Sequence, residues 1–271
     1  MLLMHKLKLY SQFCLRLLSE KRFGMEDIMK TILINGSPKK KFSASAYFLS
    51  VQKFFIQGKT IKENLRNQKD YDRILSSLED GDIVVFCLPL YVDGVPSHVL
   101  AFLKEMEKFC LEKQLKLSIY AIANNGFIEG VQSKALLQVF RNFCTRSNLV
   151  WGGGIGIGGG VMLNVMRIVF CVQIGLLFLN MFLNGTQTGN WFPADAFLNF
   201  ITQALIIGFL NLGVFLYSFR MGKAICKRKI CGEKYTRILL PSFVFILFAN
   251  IFFVIFSMFE GGIFRGWLAK K

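Results

Sequence analysis

From Ile168 to Phe219 the only ionisable acid or base, apart from a thiol and Tyr217, is Asp195. A stretch that long with almost no charge needs either a large apolar interior around it or a lipid phase. A second uncharged run extends from Ile238 to Phe259. Residues 30–150 read differently, as charged helices alternating with short apolar strands in an ordinary globular segment. The composition, 53% hydrophobic with 29 Phe, is too apolar for a plain soluble protein.

Three stretches approach or reach the roughly 20 residues that cross hydrocarbon. They are Asn164–Leu183, Ala196–Phe219 and Ile238–Phe259. The competing reading, core helices of a soluble or dimeric protein, requires a polar stripe. Ile238–Phe259 offers only Ser242, Asn250 and Ser257 for one. Asn199, Gln203, Asn211 and Asn250 could hydrogen-bond between helices or line a small quinone or lipid pocket. Orientation follows from charge. Asn184–Asp195 carries no Lys or Arg, whereas Arg220, Lys223, Lys227, Arg228, Lys229, Lys234 and Arg237 crowd the next connection. The positive-inside rule places the first outside and the second in the cytoplasm, giving three spans and a tail, Phe264–Lys271, outside. The net charge of +16 thus reads as attraction to an anionic membrane surface, since no nucleic-acid-binding motif is present.

The leading segment, residues 1–29, is too interrupted by Lys and Arg for a secretory signal. It reads as a basic amphipathic helix on a membrane or, preferably, as sequence upstream of a true start at Met25 or Met29. Seven Cys at irregular spacing fit a reducing compartment, and with only His5 and His98 a metal site is not expected.

Within 30–162 the pattern is strand, helix, strand, helix. Apolar runs at Lys30–Asn35, Ile83–Leu88, Leu117–Ala123 and Leu149–Gly160 read as strands, with Lys59–Arg66 a weak edge strand. Ser43–Ile56, Tyr71–Leu78, His98–Phe109 and Gln132–Asn148 read as helices. The alternation implies a parallel sheet covered on both faces, with ligands bound beyond the carboxyl ends of the strands.

Three loops of unusual composition leave those ends. Gly36–Ser45 offers small residues, hydroxyls and lysines before a helix, which suits a phosphate or simply a solvated turn with a Ser cap. Pro89–Pro96 presents Tyr91 on a shaped loop, where the ring packs on a flat heterocycle or on the next helix. Asn124–Gly130 is a polar turn able to supply amide contacts. His98 reads as a helix-start residue rather than a catalyst.

Taken together, ILINGSPKKKFSAS, VVFCLPLYVDGVPSHVLAFL, YAIANNGF and WGGGIGIGGG resemble the NADPH-dependent FMN reductase group of the flavodoxin-like superfamily, over roughly residues 30–160. The resemblance implies a three-layer α/β sandwich with a five-stranded parallel sheet in the order 2-1-3-4-5. It implies FMN at the strand ends and NADPH or NADH as electron donor. By position, Ser37, Lys39, Ser43 and Ser45 would cradle the phosphate. Pro89, Leu90, Tyr91, Val92 and Asp93 would line the isoalloxazine, and Asn124, Asn125, Gly126 and Phe127 would close the other side. No catalytic side chain is implied, because the flavin carries the chemistry. The expected activity passes electrons from a nicotinamide to a quinone, a flavin or another small acceptor. The alternatives are a non-catalytic flavodoxin-like scaffold and an FMN electron carrier. Members of the group often dimerise, so a homodimer is compatible. The expected organisation is an extension (1–29), a cytoplasmic flavodoxin-like domain (30–162) and a membrane region of apolar helices (163–271).

Overall fold

The computed structural model describes residues 29–40, 42–91 and 94–259. Val92 and Asp93, the segment before Met29 and the tail beyond Phe259 lie outside the described residues.

Strand β1 (Lys30–Asn35) leads into α1 (Ala44–Phe54), followed by β2 (Lys59–Asn64) and α2 (Tyr71–Glu79). Then come β3 (Ile83–Pro89), α3 (Ser97–Glu112), β4 (Ser118–Asn124), α4 (Lys134–Arg146) and β5 (Val150–Ile157). β1, β3 and β4 are apolar along nearly their whole length because helices cover both of their faces. The strands pair in parallel in the order β2-β1-β3-β4-β5, which is the flavodoxin-like order. On one face α2, α3 and α4 bury Ile74, Phe102 and Phe140 against Phe86. On the other, Phe48 and Leu49 of α1 pack on Leu33, Val85 and Ile122.

Five strands are expected and six pair. The sixth, β6 (Gly232–Thr236), runs parallel to β5, with Gly153 opposite Gly232 and Ile157 opposite Thr236. The glycines of β5 explain how it fits. Gly153 has φ +125°, and any side chain there would collide with the Gly232 carbonyl. Arg220–Arg237 is therefore not a loop, as charge alone suggested. Tyr120 donates to the Lys229 carbonyl at 2.8 Å, Arg228 pairs with Asp82 at 3.2 Å, and Arg141 pairs with Glu233.

The apolar third also differs from three simple spans. The stretch expected as Asn164–Leu183 belongs to a longer helix, α5 (Gly160–Thr188), whose first turn is buried on the sheet through Leu163 and Asn164. Ala196–Phe219 is not one helix. It bends by 60° between α6 (Ala194–Leu210) and α7 (Leu212–Cys226). At the break, buried Asn211 accepts a hydrogen bond from the Tyr47 phenol at 3.0 Å and donates to the Ile207 carbonyl at 2.9 Å. Beyond it, Val214, Met221 and Ile225 of α7 are buried in the same cluster as Phe48. α7 packs so closely on α1 that a Cβ on Gly222 would lie 2.5 Å from the Phe55 carbonyl oxygen. Residues 212–236 thus extend the α/β sandwich past position 162. The last apolar helix, α8, begins at Ser242 and not at Ile238, which is fully buried.

Candidate functional site

The loops after β1, β3 and β4 leave adjacent strands at their carboxyl ends. The order reverses between β1 and β3, which makes this the switch point of the sheet. The first loop turns sharply at Gly36, whose N–H donates to the Cys87 carbonyl at 2.8 Å. His98 Nε2 lies 3.1 Å from the Gly36 carbonyl and ties α3 to the loop when that nitrogen carries the proton. Phe42 adopts φ 52° and is 71% exposed. Ser43 then caps α1, its Oγ accepting from Ala46 N–H at 3.1 Å. Ala44 and Ser45 occupy the first turn, where no earlier helical carbonyl exists to accept from their N–H groups. This end of α1 is therefore positive, with Lys39 and Lys40 on the preceding loop.

The other polar candidates are buried and bonded to one another. The Ser37 N–H donates to Asn35 Oδ1 at 3.2 Å. Asn124 donates to Ser45 Oγ at 2.9 Å and to the Leu88 carbonyl at 3.0 Å. Asn125 donates to Ser133 Oγ and to the Glu129 carbonyl, while its Oδ1 is buried without a partner. These side chains brace the loops more than they present groups to solvent. Burial pushes the Cys87 thiol up, and a hydrogen bond from Ser45 opposes that shift.

The second loop is clamped by Leu90 N–H donating to the Asn124 carbonyl at 2.8 Å and by reciprocal bonds between Tyr91 and Gly94. Tyr91 is 41% exposed, and burial of part of its ring raises the phenol. Phe127 on the third loop is exposed as well, and beside Gly126 only Val161 comes within 4.0 Å of an added Cβ. Leu90 is buried and Pro89 half-buried. Arg237 at the end of β6 pairs with Glu129 at 2.6 Å and holds the third loop from the far side.

Two residues of α5 that motif reading did not assign to the site reach it, and a third, Arg167, lines a neighbouring cavity. Gly160 N–H donates to the Asn125 carbonyl at 2.8 Å, and Asn164 donates to the Phe42 carbonyl at 2.9 Å. Arg167 stands with its guanidinium carbon 5.3 Å from the Tyr47 ring centroid. The spacing of Asn164 and Arg167, two polar residues one helical turn apart before an uncharged run, is the sequence signal that could have found the last two. A cavity of about 550 Å³ opens between α1 and α5, lined by Phe42, Ser43, Ala46, Arg167, Ile168, Cys171 and Val172. Of the expected site residues, only Ser43 borders it.

The set fits a phosphorylated flavin in its chemistry. It has unsatisfied first-turn amides with lysines for a phosphate, an orphaned Asn125 acceptor, and an exposed aromatic ring on each of the two neighbouring loops.

No protein-family model matches this chain, and no curated protein matches it. Among solved structures it is similar to the Trp repressor binding protein from Bacillus subtilis, at 17% identity and a TM-score of 0.39, over 48% of this chain and 84% of that one. It is similar to an NADPH-quinone reductase from P. pentosaceus at 13% identity and a TM-score of 0.40, over 48% and 86% of the two chains. It is also similar to an NAD(P)H:quinone oxidoreductase from Methanothermobacter marburgensis at 13% identity and a TM-score of 0.39, over 51% and 92%.

Proposed function

We propose that this chain is a membrane-tethered oxidoreductase that binds FMN at the switch point, with NADPH or NADH as donor and a small acceptor such as a quinone. The observation that carries this reading is the pairing of an open helix N-terminus with aromatic rings on the two neighbouring loops, at the end of a flavodoxin-ordered sheet. FMN, when bound, supplies the hydride and electron transfer. The α1 amides and Lys39 would hold its phosphate, and Tyr91 and Phe127 would contact its ring. Ser45, Asn124 and Asn125 keep the loops in register by the bonds they make to one another and to the backbone.

The membrane part rests on α5. It has 29 residues with a mean hydropathy of 2.1 in its most apolar window, of which 11% is buried. α6 is shorter, about 25 Å at 1.5 Å per residue, and pairs with α5 through stacked Phe170 and Phe200 at 5.7 Å. Both feet of this hairpin are anchored on the α/β domain, Gly160 on the loop after β4 and Asn211 on α1. In a bilayer its tip therefore lies opposite the domain, and the basic residues of α7 and β6 stay on the domain's cytoplasmic side. A lipid-soluble acceptor would reach the site along the foot of the hairpin.

A non-catalytic scaffold is the second reading, favoured by the internal bonding of Ser37, Asn124 and Asn125. Absorbance of the detergent-solubilised protein after FMN loading separates the two. Bands near ~450 nm that bleach with NADPH are expected of a bound flavin. A colourless folded protein would establish the scaffold. Ser45→Asp, which sets a carboxylate beside the phosphate, and Tyr91→Ala should each weaken FMN binding by about tenfold or more. Unchanged flavin content in both variants would remove the three-loop assignment.

A further inference from the structure

We propose that the pocket between α1 and α5 holds the phosphate of an anionic phospholipid, with Arg167 as its cation. This rests on the reading that the α5–α6 hairpin enters a bilayer. Arg167 is the sole charged residue from Val161 to Ala194. It sits one turn above Leu163 and Asn164, which are buried on the sheet, and directly below the exposed apolar length of α5. That is the level at which headgroups meet a domain docked on a membrane. Among the described residues no carboxylate lies within ion-pair distance of its guanidinium.

The Tyr47 ring holds that guanidinium in place by a cation–π contact. A fixed, planar guanidinium suits the two free oxygens of a phosphate diester. The remaining wall is Ile168, Cys171 and Val172, and it continues into exposed Leu176 and Leu179 along α5. A hydrocarbon chain can follow that face outward. The cavity of about 550 Å³ lies within the usual range for bound small molecules, roughly 300–1,000 Å³. Inorganic phosphate makes no use of the apolar wall, and in zwitterionic phosphatidylcholine the quaternary ammonium beside the phosphate offsets the attraction to Arg167. An anionic amphiphile uses both.

The test is native mass spectrometry of the full chain in detergent, titrated in parallel with phosphatidylglycerol and phosphatidylcholine. The wild type should retain one phosphatidylglycerol with about tenfold preference, the effect of one charge-assisted contact. Arg167→Gln should abolish the preference, Arg167→Lys should keep part of it, and Val172→Trp should reduce retention of either lipid. Flavin content should equal that of the wild type in all three. Equal retention of the two lipids by the wild type would overturn the proposal. So would displacement of phosphatidylglycerol by millimolar inorganic phosphate, or loss of flavin in Arg167→Gln, which would make Arg167 a flavin-phosphate ligand. Flotation with phosphatidylcholine vesicles separates this from the membrane reading. Protein that floats without preferring phosphatidylglycerol defeats the lipid site alone, and protein that never floats defeats both.

Discussion

The α5–α6 hairpin and the α7–β6 segment follow one another in the chain and share one apolar run, yet they have opposite surroundings. α5 and α6 expose Phe178, Phe182, Leu198, Leu205 and Phe209. α7 buries Val214, Met221 and Ile225 under the sheet and turns Arg220 and Lys223 away from the core. The difference teaches that apolar composition does not tell which phase covers a helix. α7 takes its place because Val214, Ser218, Met221, Gly222 and Ile225 recur at helical spacing on one side that packs beside α1, while Leu212, Phe215 and Leu216 stay exposed. α6 turns Gln203 and Phe200 toward α5 and leaves Leu198, Leu205 and Phe209 exposed on its other sides.

One substitution made in both segments should break this comparison or sharpen it. Met221→Asp places a carboxylate in the core of the sandwich and should cost about 4 kcal/mol of stability, read as a shifted urea midpoint in far-UV circular dichroism. Leu205→Asp should leave that midpoint within about 0.5 kcal/mol and instead reduce vesicle flotation. Equal losses of stability at the two positions would erase the distinction. A somewhat smaller effect is expected from Gly153→Val, about 2–3 kcal/mol, because the new side chain meets the Gly232 carbonyl at a positive φ. Hydrogen exchange should localise that loss to β6, with the amides of Tyr235 and Thr236 losing protection before those of β1.

Tyr47→Phe removes the bond that fixes the α6–α7 break and should cost about 1 kcal/mol. The measurement is again the urea midpoint, and an unchanged value would mean that packing alone sets the bend. A separate effect is alkaline. Burial pushes the thiols of Cys110 and Cys231 from 9.0 up to about 11, and that of Cys144 up to about 12. These groups stay neutral in the folded sandwich while the unfolded chain ionises. The stability they contribute is therefore complete below about pH 9 and is lost as pH rises through about 11. Urea midpoints should fall between about pH 8 and about pH 10.5, and a rise would contradict the burial of these thiols.

Much of the sandwich was legible in the residues. KTILIN, IVVFCL and LSIYAIA are continuous apolar runs ended by Asn, Pro and Gly, and each is a central parallel strand. Ser43 was legible as a cap because a small hydroxyl preceding a helical apolar pattern has one common use. β6 was not legible. Gly232–Thr236 is short and half polar, and only the close approach of glycine-rich β5 makes it a strand. The break at Asn211 was hidden for a similar reason. Asn is tolerated in long apolar helices, and it stops this one because a phenol from α1, more than 160 residues away, bonds it. The same limit applied to the loops. Which side chains could face a ligand was decided by Asn124 and Asn125 turning inward to Ser45 and Ser133, contacts between distant positions.

The sequence by itself determined the alternation of strands and helices, the loops that gather at one sheet edge, and the excess of apolar surface after β5. These follow from local periodicity, turn chemistry and composition, which act within a few residues. Only the tertiary structure decided that the apolar run divides into an exposed hairpin and a buried helix, that the basic segment becomes a sixth strand, and that Arg167 faces a pocket beside Tyr47. Those outcomes depend on pairings between distant residues, and no local pattern carries that information.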